Sequence, residues 1–291
     1  MNLYNESQIK KLLSDHGFFF KKKFGQNFLI NESVVERAAS EARKTLPEGL
    51  SACIEIGPGI GSLTQKLSDN FDKVICIEID ESLKPLLEKT VPRENVEIIF
   101  ADFLKVDLKA LFEEKLSGYN VCVCANLPYY ITTPIIMALF ESRMSFFSVT
   151  VMTQKEVARR FTAPPNSEEY GAITAVCSYY AKATRLFDVS RGNFVPAPNV
   201  TSSVVTFLLY KERPVSPKDE KMFFDVIKGS FANRRKTIYN SLSSFFVNTF
   251  SKEEIEKALT LSGIPLNTRG EALSIKEFSA LSDALYEIKN N

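Results

Sequence analysis

Four short stretches of the 291-residue chain carry side chains whose types and spacing can do chemistry. Glu55-Ile56-Gly57-Pro58-Gly59-Ile60-Gly61 lies directly after an apolar, strand-like run and directly before a helical pattern. Glycines there let the backbone turn tightly and approach a ligand with no side chain in the way. Glu78 ends the next apolar run, 21 residues after Gly57. A carboxylate at that place can accept two hydrogen bonds from a ribose diol. Asp102 follows the third run, where it can accept from an adenine amino group with Phe103 beside the ring. The fourth run ends Ala125-Asn126-Leu127-Pro128-Tyr129-Tyr130. Each acid alone reads as a solubilising charge at a strand end. Acids at successive strand ends read as a ligand site, because open parallel sheets bind ligands outside the carboxyl ends of their strands.

The loop is not the dinucleotide pattern G-x-G-x-x-G. It reads G-x-G-x-G, with Glu55 two residues ahead of it. Acidic surroundings suit a cationic ligand better than a pyrophosphate, and S-adenosylmethionine is a sulfonium that also carries an ammonium. The candidate cofactor contacts are therefore Glu55, Gly57, Gly59, Glu78, Asp102 and Phe103. The fourth stretch then has a specific task. An adenine's exocyclic amine is a poor nucleophile, because its lone pair is delocalised into the ring. The side-chain oxygen of Asn126 and the carbonyl of Leu127 or Pro128 can accept its two N–H bonds and aim the lone pair at the sulfonium methyl. Tyr129 can stack on the base. Catalysis of this kind is orientation plus electrostatics and needs no strong general base.

The elements that must position these residues alternate. Strand-like runs at Ala52–Ile56, Lys73–Ile79, Val96–Phe100, Val121–Leu127 and Ser148–Thr153 are separated by helical patterns at Ser62–Ser68, Ser82–Val91, Leu108–Leu116 and Thr132–Ser142. Such alternation predicts an α/β, Rossmann-like and mostly parallel sheet covered on both faces. A helix at Ala172–Tyr180 and two strands at Ala183–Val189 and Thr201–Tyr210 follow, an antiparallel end to the sheet. Residues 211–219 are polar with two prolines and read as a linker; residues 220–291 are a small all-α domain. The expected domains are thus 1–210 and 220–291.

Composition excludes several classes. Apolar residues are 45% and charged residues 24%, as in ordinary globular chains, so disorder and coiled coil are out. No apolar run is long enough for a membrane span, and the start lacks the features of a secretory signal, so a cytoplasmic protein is expected. Five cysteines without zinc-like spacing read as buried thiols, and the single histidine, His16, argues against a multi-histidine metal site. Net charge is +1, but residues 51–150 hold 9 Lys/Arg against 14 Asp/Glu, while residues 221–240 hold 5 against 1. Basic stretches beside an acidic middle suit a polyanion bound next to the cofactor site, with Lys21, Lys22, Lys23, Arg234, Arg235 and Lys236 as phosphate contacts.

Over essentially its whole length the chain resembles the KsgA-type ribosomal RNA adenine dimethyltransferases. The matching stretches are Phe24-Gly25-Gln26-Asn27-Phe28-Leu29, the Glu55–Gly61 loop, Ile77-Glu78-Ile79-Asp80, Asp102, Asn126–Pro134, Tyr170-Gly171, Asn193-Phe194-Val195-Pro196 and Arg234-Arg235-Lys236-Thr237. The resemblance implies that Gly57, Glu78, Ile79, Asp102 and Asn126 bind the cofactor, and that Gln26, Asn27 and Leu29 also touch it as an N-terminal arm. It implies that Phe194 stacks on the target base opposite Tyr129. It further implies a monomer acting on two adjacent adenosines near the 3′ end of 16S rRNA, in the small ribosomal subunit or its precursor. The similar Erm-type enzymes, which act on 23S rRNA, usually carry Asn-Ile-Pro in place of Asn-Leu-Pro and are shorter. A non-catalytic RNA-binding assembly factor on the same fold is expected to lose Asn126, Glu78 or the glycines, and all are present. After Pro198 the family usually shows Lys-Val-Asp-Ser; here Asn199-Val200-Thr201-Ser202 lacks that cation and that anion.

Overall fold

A computed structural model describes residues 2–18, 20–21 and 25–290. Near the N-terminus come helix α1 (Glu6–Asp15), strand β1 (Phe28–Leu29) and helix α2 (Glu32–Arg43). Then β2 (Ser51–Ile56), α3 (Ser62–Asn70), β3 (Lys73–Glu78), α4 (Lys84–Thr90), β4 (Val96–Phe100), α5 (Leu108–Leu111), β5 (Asn120–Asn126), α6 (Thr132–Glu141) and β6 (Phe146–Gln154) alternate as the sequence predicts. Helices α7 (Lys155–Thr162) and α8 (Ala172–Tyr180) precede β7 (Ala181–Val189), β8 (Phe194–Val195) and β9 (Ser202–Leu209). Four more helices end the chain: α9 (Glu220–Phe231), α10 (Ile238–Phe245), α11 (Lys252–Leu261) and α12 (Ile275–Asn290).

Seven strands form one sheet in the order β4-β3-β2-β5-β6-β9-β7. β2 pairs in parallel with both β3 and β5, β5 with β6, and β3 with β4; β9 runs antiparallel to β6. This is the Rossmann-like sheet with an antiparallel end. β2 is buried at every position and β5 at all but its two ends, as expected for central strands covered on both faces. Cys53, Cys76, Cys122 and Cys124 pack on one face with Val35, Ala38, Ala39 and Ala42 of α2. Alanines there let the helix approach the strands closely. α2 is not among the helices expected from the sequence, although its buried positions Val35, Ala38, Ala39 and Ala42 recur at helical spacing. No described helix is long and apolar enough to cross a membrane.

The chain divides into two compact units: Met1–Ala158 with Thr184–Leu209, and Arg159–Ala183 with Tyr210–Asn291. The sequence predicts a boundary at 211–219, whereas residues 159–183 gather with the C-terminal helices. Side chains give the reason. In this helical unit, Tyr179 donates to Glu220 at 2.9 Å, and its ring meets Phe223 and Phe224 of α9. Tyr170 donates to the Leu273 carbonyl at 3.0 Å. The predicted linker is packed rather than free: the Arg213 guanidinium lies 4.5 Å from the Tyr180 ring centre, and the Lys218 backbone donates to Asp283.

In the sheet unit, Gly61 starts α3 at φ +88°, and a β-carbon there would collide with Val91 after α4. Gly61→Ala combines an unfavourable backbone with overpacking, each about 1–3 kcal/mol. The urea midpoint should fall, corresponding to a loss of about 2–6 kcal/mol of stability; an unchanged midpoint would mean that α3 and α4 part without cost.

Candidate active site

The strand order reverses between β2 and β5, because the chain builds outward through β3 and β4 before returning to β5. The loops leaving β2 and β5 therefore diverge and open a cleft at their carboxyl ends. Its space is ≈ 1040 Å³, open solvent at the mouth included. Gln26, Asn27, Leu29, Glu55, Gly57, Gly59, Glu78, Ile79, Asp102, Phe103, Asn126, Leu127, Pro128 and Tyr129, all expected from the sequence, line it.

The glycine loop hugs the sheet. Gly57 turns at φ +72° and donates to the Ile77 carbonyl at 2.9 Å, and a β-carbon on it would meet no atom. That leaves open space against bare backbone. Gly59 donates to Glu78 Oε2 at 3.2 Å, and Asp80 N–H donates to Glu78 Oε1 at 2.9 Å. Each Glu78 oxygen thus keeps acceptor capacity for a further donor. Glu78 is only 4% exposed, and burial pushes its carboxyl up, against the two backbone N–H groups. Glu55 is fully enclosed, with Cys76 Sγ at 3.4 Å, and burial pushes its carboxyl up to about 7. Asp80 behaves oppositely. Burial pushes it up too, but Lys21 Nζ at 2.6 Å, Ser82 Oγ at 2.6 Å and Gln26 Nε2 at 2.9 Å outweigh that and hold it below the usual range. Asp102 Oδ1 accepts from Leu104 N at 3.1 Å, capping a single turn that carries Phe103 beneath the cleft floor. Ile79 and Leu104 are exposed apolar groups on the lining.

The end of β5 is set by three contacts. Asn126 Nδ2 donates to the Asn27 carbonyl at 3.0 Å. Only the amide nitrogen can donate there, so the amide oxygen is the end left for another partner. The Pro128 carbonyl already accepts from Ile131 N and Thr132 Oγ1, both at 3.1 Å. Among the described residues none donates to the Leu127 carbonyl. Of the two carbonyls the sequence allows, Leu127 is the one with capacity to spare. Tyr129 OH lies 2.7 Å from Ser202 Oγ, which fixes the half-buried ring from behind.

Several expectations need correction. Phe194 does not line the cleft: β1 and β8 pair with Leu29 opposite Phe194, and its ring is 3% exposed in the apolar core with Leu29, Cys124 and Met152. As placed here, the Phe194 side chain offers no exposed face to a base. Lys21 is neutralised by the buried Asp80 and is not a spare phosphate contact. Lys22 and Lys23 lie outside the described residues, as does Phe24. In the helical unit Arg234, Arg235 and Lys236 are all exposed, and Arg234 Nη2 also donates to the Glu168 and Tyr170 carbonyls. Two residues of the site, Asp80 and Ser202, have no role in the sequence reading. The Asp-x-Ser spacing after β3 is a turn signal that could have flagged Asp80. Among the described residues no cluster of three His, Cys, Asp or Glu could hold a metal.

A switch-point cleft with a glycine loop, acids at two successive strand ends and an Asn-Leu-Pro-Tyr segment defines a Rossmann-like methyltransferase. Comparison with known proteins narrows this. The family model for ribosomal RNA adenine dimethylase matches residues 17–285, and the chain belongs to that family. It is 45% identical over 284 residues to the ribosomal RNA small subunit methyltransferase A of Bacillus licheniformis, covering 97% of this chain and 96% of that protein. It is 46% identical over 282 residues to the protein of the same name from Shouchella clausii, covering 96% and 94%. Two solved structures share the fold. The 23S rRNA methyltransferase ErmE has a TM-score of 0.67 at 24% identity, over 89% of this chain and 100% of that one. A dimethyladenosine transferase from Plasmodium falciparum has 0.69 at 22%, over 87% and 95%.

Glu55 yields a pH prediction. Its carboxyl ionises near 4.5 when unfolded and near 7 when folded. The folded state binds the extra proton between these values, so stability is greatest below the lower one and falls as pH rises through 7. Glu55→Gln cannot ionise and escapes that fall. Relative to wild type, the variant should gain roughly 3 kcal/mol between pH 4.5 and 7, read from urea curves at each pH; parallel curves would place Glu55 in contact with water.

Proposed function

We propose that this protein transfers methyl groups from S-adenosylmethionine to the exocyclic amines of two adjacent adenosines near the 3′ end of 16S rRNA. The product is N6,N6-dimethyladenosine, made while the small subunit matures in the cytoplasm, with a monomer as the active form. The observation that carries this reading is the Asn126 amide, held by its nitrogen on the Asn27 carbonyl and lining the same cleft as the buried Glu78. The relatives named as small subunit methyltransferase A, at 45–46% identity, favour the small subunit as the place of action.

The residues fit the cofactor. Glu78 would hold the ribose hydroxyls on its two remaining acceptor positions. Gly57 offers backbone with open space in front of it, and Glu55 offers a buried acid suited to a cation. Asp102 and Phe103 would take the adenine edge and face. The bound cofactor supplies an electrophilic methyl on a sulfonium. The chain's own residues then orient the nucleophile. Asn126 Oδ1 and the Leu127 carbonyl accept from the target amine, which favours a pyramidal nitrogen and localises its lone pair. Tyr129, braced by Ser202, offers a face for the base. The adenine must leave its stack to reach such a cleft. Arg235 and Lys236, exposed on the helical unit, serve as phosphate contacts.

The test is single-turnover methylation of undermethylated ribosomal subunits with labelled cofactor. Label should enter the small-subunit RNA; label in 23S rRNA would redirect the reading to the other subunit. Because the Asn126 contact is strongest when the nitrogen is pyramidal, Asn126→Ala should slow the step by roughly 10²–10³-fold with subunit affinity unchanged. A near wild-type rate would remove the Asn-Leu-Pro-Tyr segment from catalysis. Neutralising Arg235 and Lys236 together should flatten the dependence of log affinity on log salt by about 0.7–0.9 for each phosphate left without its cation. An unaltered slope would return both to the solvated surface.

A further inference from the structure

The cleft contains a continuous chain of contacts that joins its two functional ends. Asp80 N–H donates to Glu78 Oε1 at 2.9 Å. Asp80 Oδ2 accepts from Gln26 Nε2 at 2.9 Å. One peptide bond further on, the Asn27 carbonyl accepts from Asn126 Nδ2 at 3.0 Å. The Asp80 side chain is 2% exposed, and its other oxygen takes Lys21 Nζ and Ser82. Gln26 uses both ends of its amide, since its oxygen also accepts from Lys21 N at 3.1 Å. So Gln26, expected as a cofactor ligand, is turned onto a buried acid and has its amide fully engaged there.

We propose that Asp80 and Gln26 are positioning residues: they tie the Asn27 carbonyl to the Glu78 loop, so that the Asn126 amide is aimed at the target amine. The inference rests on the reading above, in which Glu78 holds the cofactor and Asn126 the amine. Its physical basis is the freedom the tie removes. An asparagine amide can turn over about its terminal torsion, and only a fixed carbonyl opposite the nitrogen selects one orientation. Asn27 lies between Gly25 and β1; its side chain donates to the Gly25 carbonyl at 3.0 Å and the next residue, Phe28, pairs with Val195, restraints that do not tie the segment to the Glu78 loop. The Gln26 contact with Asp80 anchors the segment at the residue before. Asp80 is in turn held by its own short turn, where it accepts from Ser82 N at 3.2 Å. Asp80 touches neither amine nor methyl; it acts through Gln26 and Asn27.

The experiment is a double-substitution cycle in single-turnover methylation of undermethylated small subunits, at saturating S-adenosylmethionine and subunit. Gln26→Met keeps the length of the side chain and removes both hydrogen bonds. It should slow the step by roughly 10–10²-fold, the scale of a misplaced reacting group, with unchanged subunit affinity; the hydrogen bond lost from the buried Asp80 lowers the thermal midpoint, so rates are compared well below it. In the Asn126→Ala background the same change should cost nothing further, because there is no amide left to aim. Asp80→Asn, which retains an oxygen for its own turn, should show the same dependence on Asn126. Losses that multiply across the cycle, or a wild-type rate in Gln26→Met, would overturn the proposal while leaving Asn126 catalytic. A wild-type rate in Asn126→Ala alone would overturn the functional reading, and this inference with it.

Discussion

The reversal of strand order between β2 and β5 is the constraint on which the rest depends. Parallel strands force each connection to cross a face of the sheet, and at the reversal the two crossings leave in opposite directions. No helix can cover the gap they leave. The glycine loop after β2 and the Asn-Leu-Pro-Tyr segment after β5 end on neighbouring strands, so they face one cleft by topology rather than by sequence proximity. The Gly57 bond to Ile77 then ties the first loop to β3, the strand that delivers Glu78.

Electrostatics within that cleft are uneven in a useful way. Glu55, Glu78 and Asp80 come from two adjacent strand ends, and burial opposes the charge of each. Asp80 is compensated by Lys21 and lies below its usual range. Glu78 has backbone N–H groups and Glu55 has a thiol, neither of them a full positive charge, and both carboxyls are pushed up. An uncompensated buried acid favours a cationic or multiply donating ligand over an anionic one, because such a ligand restores the interactions that burial removed. That preference is the physical support for the proposed sulfonium cofactor over a pyrophosphate.

The helical unit is organised on different lines. Its core is aromatic, with Tyr179, Phe223 and Phe224 in edge and tilted contacts, and its buried polar tips are matched: Tyr170 to the Leu273 carbonyl, Tyr179 to Glu220. Ser241 Oγ donates to the Gly229 carbonyl at 2.7 Å, at a glycine where a β-carbon would press on Phe245 and Leu242. The three cations after α9 are all exposed, and Arg234 is additionally anchored through Nη2 to the Glu168 and Tyr170 carbonyls.

Much of the catalytic half was legible from the chain alone, because its signals are local. A run of buried β-formers announces a strand, glycines at its end announce a tight turn, and an acid at the next strand end needs only the alternation of elements to place it. The strands carrying Glu55, Glu78 and Asn126, and the cleft they share, follow from that. Other features depend on pairings distant in sequence. The register of Leu29 against Phe194 turned an expected stacking ring into core. A contact between Lys21 and Asp80, 59 residues apart, paired a cation that the sequence reads as a phosphate contact with a buried acid. Residues 159–183 joined the helical unit through tyrosines whose partners lie beyond residue 219. The sequence by itself determined which side chains could do chemistry and which strand ends would carry them, since period and turn chemistry act over a few residues. Only the tertiary structure decided which of those side chains still have a free hydrogen-bonding end, because that depends on every other group that packs against them.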